Sequence, residues 1–170
     1  MADDEPDGPD RAADSETPAN PTDPRRIRSI AVHREDVATA LEATLRSDRR
    51  VVLRVTPPYS GRMRARIHRV DATRTGPAGD DESAAAGGPI HVDPADLVED
   101  CPAYPEVDET AADLPEADVD TRRERHAAVV AAWRDAVRES VGGTVTVSVD
   151  AGDETERTDA THEIDVVALG

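Results

Sequence analysis

Five side chains have the types and spacing to hold an anion. In Val51–Val70 (VVLRVTPPYSGRMRARIHRV), Arg62, Arg64 and Arg66 recur at every second position, His68 continues the series, and Arg54 stands in the apolar run before them. Alternate residues of a strand share a face, so these arginines and His68 project together while Met63, Ala65 and Ile67 project to the other side. By the same rule Val51, Leu53 and Val55 oppose Val52, Arg54 and Thr56. Guanidinium forks match phosphate oxygens, which is the chemistry such a row would perform. Like charges directly opposite on neighbouring strands are unfavourable by roughly the 0.2–1 kcal/mol that a good cross-strand pair contributes, so something should offset them. Carboxylates of the same chain would do so without any partner, and an anionic ligand would do so as well.

Other chemistry is thinly represented. The five histidines (His33, His68, His91, His126, His162) include no pair four apart on one helix, so no metal site is expected. His91 and Asp93 flank a short apolar run and could meet His68 across the hairpin, the one acid–base arrangement on offer. Cys101 is the only cysteine, which rules out an intrachain disulfide and leaves a Cys-based zinc site without ligands. It lies in Asp-Cys-Pro, among carboxylates that discourage a thiolate, and reads as a small apolar anchor. Ser60-Gly61 lacks the frame of a nucleophile elbow, and phosphate-binding glycine loops, dinucleotide fingerprints and calcium loops are missing. No catalytic residue and no cofactor is expected.

The composition frames the arginine row. All 20 basic residues are arginine, against 37 acidic ones, for a net charge of -17. Residues 25–74 nevertheless hold 13 arginines and 5 acids, a net of +8, while the rest hold 7 and 32, a net of -25. A basic block inside so acidic a chain points to a surface with a purpose. The acidity keeps a protein hydrated where concentrated salt screens charge, so it describes a salt-adapted cytoplasm before it describes a partner. The N-terminal MADDEPDGPD is the opposite of a secretory leader. The longest wholly apolar run, Ala127–Trp133, is far short of the roughly 20 residues that span a bilayer. A cytoplasmic protein with no membrane association is expected.

Several elements must position the row. Residues 1–24 are polar, charged and small, and read as a disordered acidic tail before a single domain at 25–170. A first strand is expected over Arg26–Val32. A helix follows over Arg34–Leu45, with Val37, Leu41 and Leu45 on one face and Glu35 and Asp36 in its first turn. The two strands of Val51–Val70 then form a hairpin that breaks at Pro57, Pro58 and Gly61. Residues 72–88 are a low-complexity loop, and Pro89–Val92 forms a short strand. Asp93-Pro94 opens a helical turn through Leu97 and Val98. The connection 93–120 holds 11 acids and no basic residue. It is expected to be extended, tacked down by Leu97, Tyr104, Val107 and Leu114. Thr121 and Glu124 read as the capping box of the best helix, which carries Val129, Trp133, Val137 and Val141 inward and stops at Gly142-Gly143. Two alternating strands, Thr144–Asp150 and Thr161–Leu169, close the chain as a hairpin. The order predicts an α+β two-layer sandwich: a mostly antiparallel sheet covered on one face by two helices, with a ferredoxin-like βαββαβ core and an extra C-terminal strand.

These segments carry a resemblance. IRSIAVHREDVATALEA, RRVVLRVTPPYSGRMRARIH, PIHVDPADLVEDCPAYP, ERHAAVVAAWRDAVRES and the final VVALG together resemble a family of uncharacterised small proteins from haloarchaea. The likeness implies a salt-adapted cytoplasmic protein of unknown activity and brings no catalytic residues with it. The reading is then a non-enzymatic interaction module whose arginine-rich sheet face (Arg54, Arg62, Arg64, Arg66, His68) meets a protein or an RNA. Nucleic-acid or phosphate binding through that face is the alternative, and a small enzyme using His68 and His91 is the third choice. No small-molecule substrate is indicated. Internal pairing of the arginines with the acidic connection or the tail is the simplest expectation, and the hairpin shows no aromatic platform for bases.

Overall fold

The computed structural model describes residues 20–70, 87–151 and 158–170. Most of the expected tail and low-complexity loop, residues 1–19 and 72–86, lie outside them, as does the turn around Gly152. In chain order the elements are β1 (Ser29–His33), α1 (Arg34–Arg46), β2 (Val51–Val55), β3 (Arg62–Arg64), β4 (Arg66–Arg69), β5 (Ile90–Val92), α2 (Val107–Ala112), α3 (Val119–Glu139), β6 (Thr144–Ala151) and β7 (Thr158–Leu169). Short 3₁₀ turns occupy Pro24–Arg26 and Pro94–Leu97. The second is capped as anticipated, with the Asp93 carboxylate accepting from the Ala95 amide at 3.0 Å.

The α+β class stands, and the strand arrangement differs from a single ferredoxin-like sheet. One sheet has the order β3-β1-β7-β6, with β1 parallel to both neighbours and β6 antiparallel to β7. The other is antiparallel, β4-β2-β5. The anticipated partner of β2 is thus divided: its first three residues run beside β1 and its last four beside β2. The Ala65 amide donates to the Ala31 carbonyl at 3.0 Å, and the Val70 amide to the Arg50 carbonyl at 2.9 Å. Amides of odd and even residues point to opposite edges of a strand, so β1 and β2 flank opposite edges of this one chain. The sheets therefore meet along Arg62–Arg69 and form one bent, open layer. Ala65, buried at the junction, is where the chain passes from one sheet to the other. Sequence alternation cannot show which neighbour a strand chooses, which is why the split was invisible beforehand.

A single core fills the inside of the bend. Ile30 and Val32 of β1, Val51, Leu53 and Val55 of β2, Ile90 and Val92 of β5, and Val145 and Val147 of β6 meet Val37 and Leu41 of α1 and Trp133 and Val137 of α3. Tyr59 is buried with them, its amide donating to the Pro21 carbonyl at 2.7 Å and its hydroxyl to the Gly88 carbonyl. This places residues 20–24, assigned to the tail on composition, against the domain, with Pro24 buried. Leu45, expected on the inner face of α1, emerges half exposed at the last turn. The first strand begins at Ser29 rather than Arg26, because the chain before it is wound into the 3₁₀ turn.

The acidic connection is more regular than expected. It contains α2, whose buried Thr110 shares a 2.9 Å hydrogen bond with His126 Nδ1 of α3. Leu97 and Tyr104 anchor it as anticipated. Val107 is exposed instead, and so is Cys101, which faces solvent beside Pro102 and anchors nothing. Helix α3 starts two residues before the expected capping box. The Asp118 carboxylate accepts from the amides of Asp120 and Thr121 at 3.0 and 2.9 Å and from the Thr121 hydroxyl, a stronger cap than a threonine offers. Those Thr121 bonds hold the Asp118 carboxyl below the ordinary aspartate range. Asp118→Ala should therefore fray the first turn of α3, lowering helical ellipticity and the melting temperature, whereas Asp118→Asn keeps most of both. A melt unchanged by Asp118→Ala would return the cap to Thr121. At its other end α3 stops at Glu139, before the expected glycine pair, and the Ser140 amide closes the last turn on the Ala136 and Val137 carbonyls. Val141 has left the helix to bridge Val98, and Gly143, in the left-handed region at φ 80°, turns the chain into β6.

Candidate anion-binding face

The outer face of the bent layer is built from the strands' own alternation. On β3 and β4, Met63 and Ala65 turn toward the core while Arg62, Arg64 and Arg66 are exposed. Arg54 pairs in register with Arg66 on one side and with His91 on the other, and Val52 pairs with His68. Registered residues share a face, so Arg54, Arg62, Arg64, Arg66, His68 and His91 stand on one surface. All five residues singled out from the sequence are brought together, and His91 joins them.

Within this face Arg54 and Arg66 stand directly opposite, the arrangement in which like charges repel. Arg54 Nε is buried with no hydrogen-bond acceptor among the described residues. Arg64 reaches back to β1 and donates to His33 Nε2. The rings of His68 and His91 meet across the central strand β2, their centroids 5.7 Å apart and their planes within 14°.

Internal pairing was the simplest expectation for these arginines. Among the described residues, no carboxylate oxygen lies within 4.0 Å of Arg54, Arg62, Arg64 or Arg66. The ion pairs found there sit on the helices: Arg134 and Arg46 with Glu42, Arg138 with Glu35 and Asp135, and Arg123 with Asp120. From Glu99 to Tyr104 the acidic connection runs along α1 and α3, whereas Asp93 and Asp96 at its start line a groove with Arg50 and His91. Pairing with residues 1–19 of the tail lies outside the described residues.

The enzyme reading needs His68, His91 and a carboxylate in one pocket. A groove of about 200 Å³ between β5 and β6 is lined by His91, Asp93 and Asp96 together with Val145–Ser148, but His68 is not part of it. Burial pushes the Asp96 carboxyl above its ordinary value, helped by the neighbouring Asp93. No cluster of three or more metal-ligating side chains occurs among the described residues. No helix among them is long and apolar enough to cross a membrane.

Sequence reasoning missed two features. The buried Glu42 is held by Arg134 and Arg46, and the i, i+4 spacing of Glu42 and Arg46 was its visible half. Tyr59 looked like a turn residue because of its proline neighbours, yet it closes the core.

Fold and face together define an α+β domain in which two packed helices cover one face of an open sheet layer whose other face carries a row of arginines. The chain belongs to the DUF8009 family, a domain of unknown function, whose family model matches residues 16–170. No curated protein and no solved structure matches it.

Proposed function

We propose that this protein is a non-enzymatic binding module that holds the phosphate backbone of a nucleic acid on its outer sheet face. The observation that carries this reading is the division of charge. The ion pairs of the described residues gather on the helices, while Arg54 and Arg66 stand opposite each other on neighbouring strands with no carboxylate of the described residues within 4.0 Å. Two guanidinium groups opposite each other repel, and a bound anion would offset that cost. Arg62, Arg64 and Arg66 follow one another at about 6.8 Å, two residues of strand rise, a single file suited to successive phosphates of one strand. An acidic protein surface is the competing partner. Cytoplasmic location and salt adaptation, read from composition, belong to the same proposal.

The test is a salt titration of binding, followed by fluorescence anisotropy of a labelled oligonucleotide. The logarithm of the affinity should fall linearly with the logarithm of salt, and Arg54→Gln with Arg66→Gln should flatten that slope by about 1.4, the share of two phosphate contacts on a single strand. Binding that is absent at the lowest salt preserving the fold, or a slope unmoved by both substitutions, would refute the proposal. Displacement by polyglutamate as effective as by nucleic acid would transfer the face to an acidic protein.

A further inference from the structure

We infer that the stacked imidazoles of His68 and His91 form a platform for an unpaired base, so that the nucleic acid bound by the arginine file is single-stranded. The inference rests on the phosphate-binding reading above and adds to it what the ligand must expose. The chain has no phenylalanine, one tryptophan and two tyrosines, and all three of those rings are engaged elsewhere. Tyr59 and Trp133 are buried, and Tyr104 stacks edge-on against Trp133. Among the described residues, the aromatic rings of the outer face are therefore imidazoles, the stacked pair and His33, and Arg64 already engages His33. The rings of the stacked pair are nearly parallel and stand beside Arg54 and Arg66; His68 is partly exposed, while both ring nitrogens of His91 are buried.

That combination is what a single strand needs. Flat side chains accept any base through its π-face, and neighbouring guanidinium groups take the phosphates on either side. A duplex keeps its bases stacked on one another and offers nothing to a platform of this kind. The alternative role for the pair is to shelter Val52, which is fully buried on the same face. The two roles separate by substitution. His68→Leu keeps an apolar cover over Val52 and removes the ring, whereas His68→Phe keeps both cover and ring.

The experiment uses the full chain, and because His68→Leu and His68→Phe both remove the imidazole, comparing them keeps histidine charge from imitating stacking. The probes are oligothymidylate of about ten nucleotides, an abasic deoxyribose-phosphate chain of equal length, and the oligothymidylate in duplex with its complement; circular dichroism confirms that each variant is folded. A stacked base should make the oligothymidylate bind at least about 5-fold tighter than the abasic chain. His68→Leu should erase that preference and His68→Phe retain it, with the duplex binding more weakly than the single strand. A preference that survives His68→Leu, one lost in His68→Phe, or a duplex that binds as tightly would overturn the inference. If the abasic chain binds as well as the oligothymidylate, and Arg54→Gln with Arg66→Gln weakens both, the platform falls and the phosphate-binding reading stands. If no probe binds, both fall.

Discussion

Replacing Arg134 by methionine should destabilise the protein by about 2–3 kcal/mol near neutral pH, because it strands a buried carboxylate. Glu42 is almost inaccessible in the middle of α1. Arg134 of α3 grips it with two hydrogen bonds, Nε at 2.6 Å and Nη2 at 2.9 Å, and Arg46 adds a third contact at 3.2 Å. Breaking a fully buried pair costs about 3–5 kcal/mol; the Arg134 side chain is 42% exposed and Arg46 remains, so the lower figure applies. Replacing both partners (Arg134→Met with Glu42→Leu) should recover much of the loss, since no charge is then left buried. Urea unfolding of the four proteins in the cycle gives the coupling directly.

The same pair sets the acid limb of stability. The hydrogen bond from Arg134 holds the Glu42 carboxyl below its ordinary value, against a burial that pushes it up. The folded state thus binds fewer protons there than the unfolded state over the window between the two pKa values. The stabilisation is complete above the unfolded glutamate pKa and disappears as pH falls through the lower, folded one. In Arg134→Met burial dominates, and the acid transition should move to higher pH. Equal acid midpoints for wild type and variant would mean that the carboxylate does not depend on Arg134.

Much of this fold was legible because local rules and global packing agree. Val37 and Leu41, Trp133 and Val137, and the alternating valines of β6 face the core as their periods require. The arginine file was legible for the same reason: alternation assigns a face whatever neighbour a strand acquires. What was not legible required knowledge of neighbours. Nothing in RMRARIHR says that the chain exchanges β1 for β2 at Ala65, because alternation assigns the same faces with either neighbour, and nothing there says that Ile67, on the face of Leu53 by register, is left 41% exposed. Nor does composition say where carboxylates go. The 11 acids of the connection suggested partners for the arginines, and only the path of the chain shows that Asp93 and Asp96 stay near Arg50 and His91 while the connection from Glu99 to Tyr104 follows the helices. The meeting of His68 and His91, 23 positions apart, was by contrast anticipated, and it comes about because β2 pairs with both of their strands.

Trp133→Ala should produce the largest single loss, about 3–5 kcal/mol, as expected for emptying a buried aromatic site. Trp133 is almost wholly buried and does two jobs. Its ring fills the core from α3, and its Nε1–H donates to the Pro102 carbonyl at 2.9 Å. Tyr104, two residues further along the same connection, packs edge-on against the indole with ring centroids 5.0 Å apart. One side chain therefore seats the long helix and fastens the acidic connection that crosses it. Trp133→Phe separates the roles: the ring contacts largely persist while the Pro102 carbonyl loses its donor, a cost of about 1–3 kcal/mol. The connection should then be cut faster by protease around residues 99–106 in Trp133→Phe, and faster still in Trp133→Ala, while the sheet keeps its slow amide exchange. If both variants lose the same stability, the hydrogen bond outweighs the packing. If neither speeds cleavage, Leu97 and the bridge from Val98 to Val141 fasten the connection without the indole.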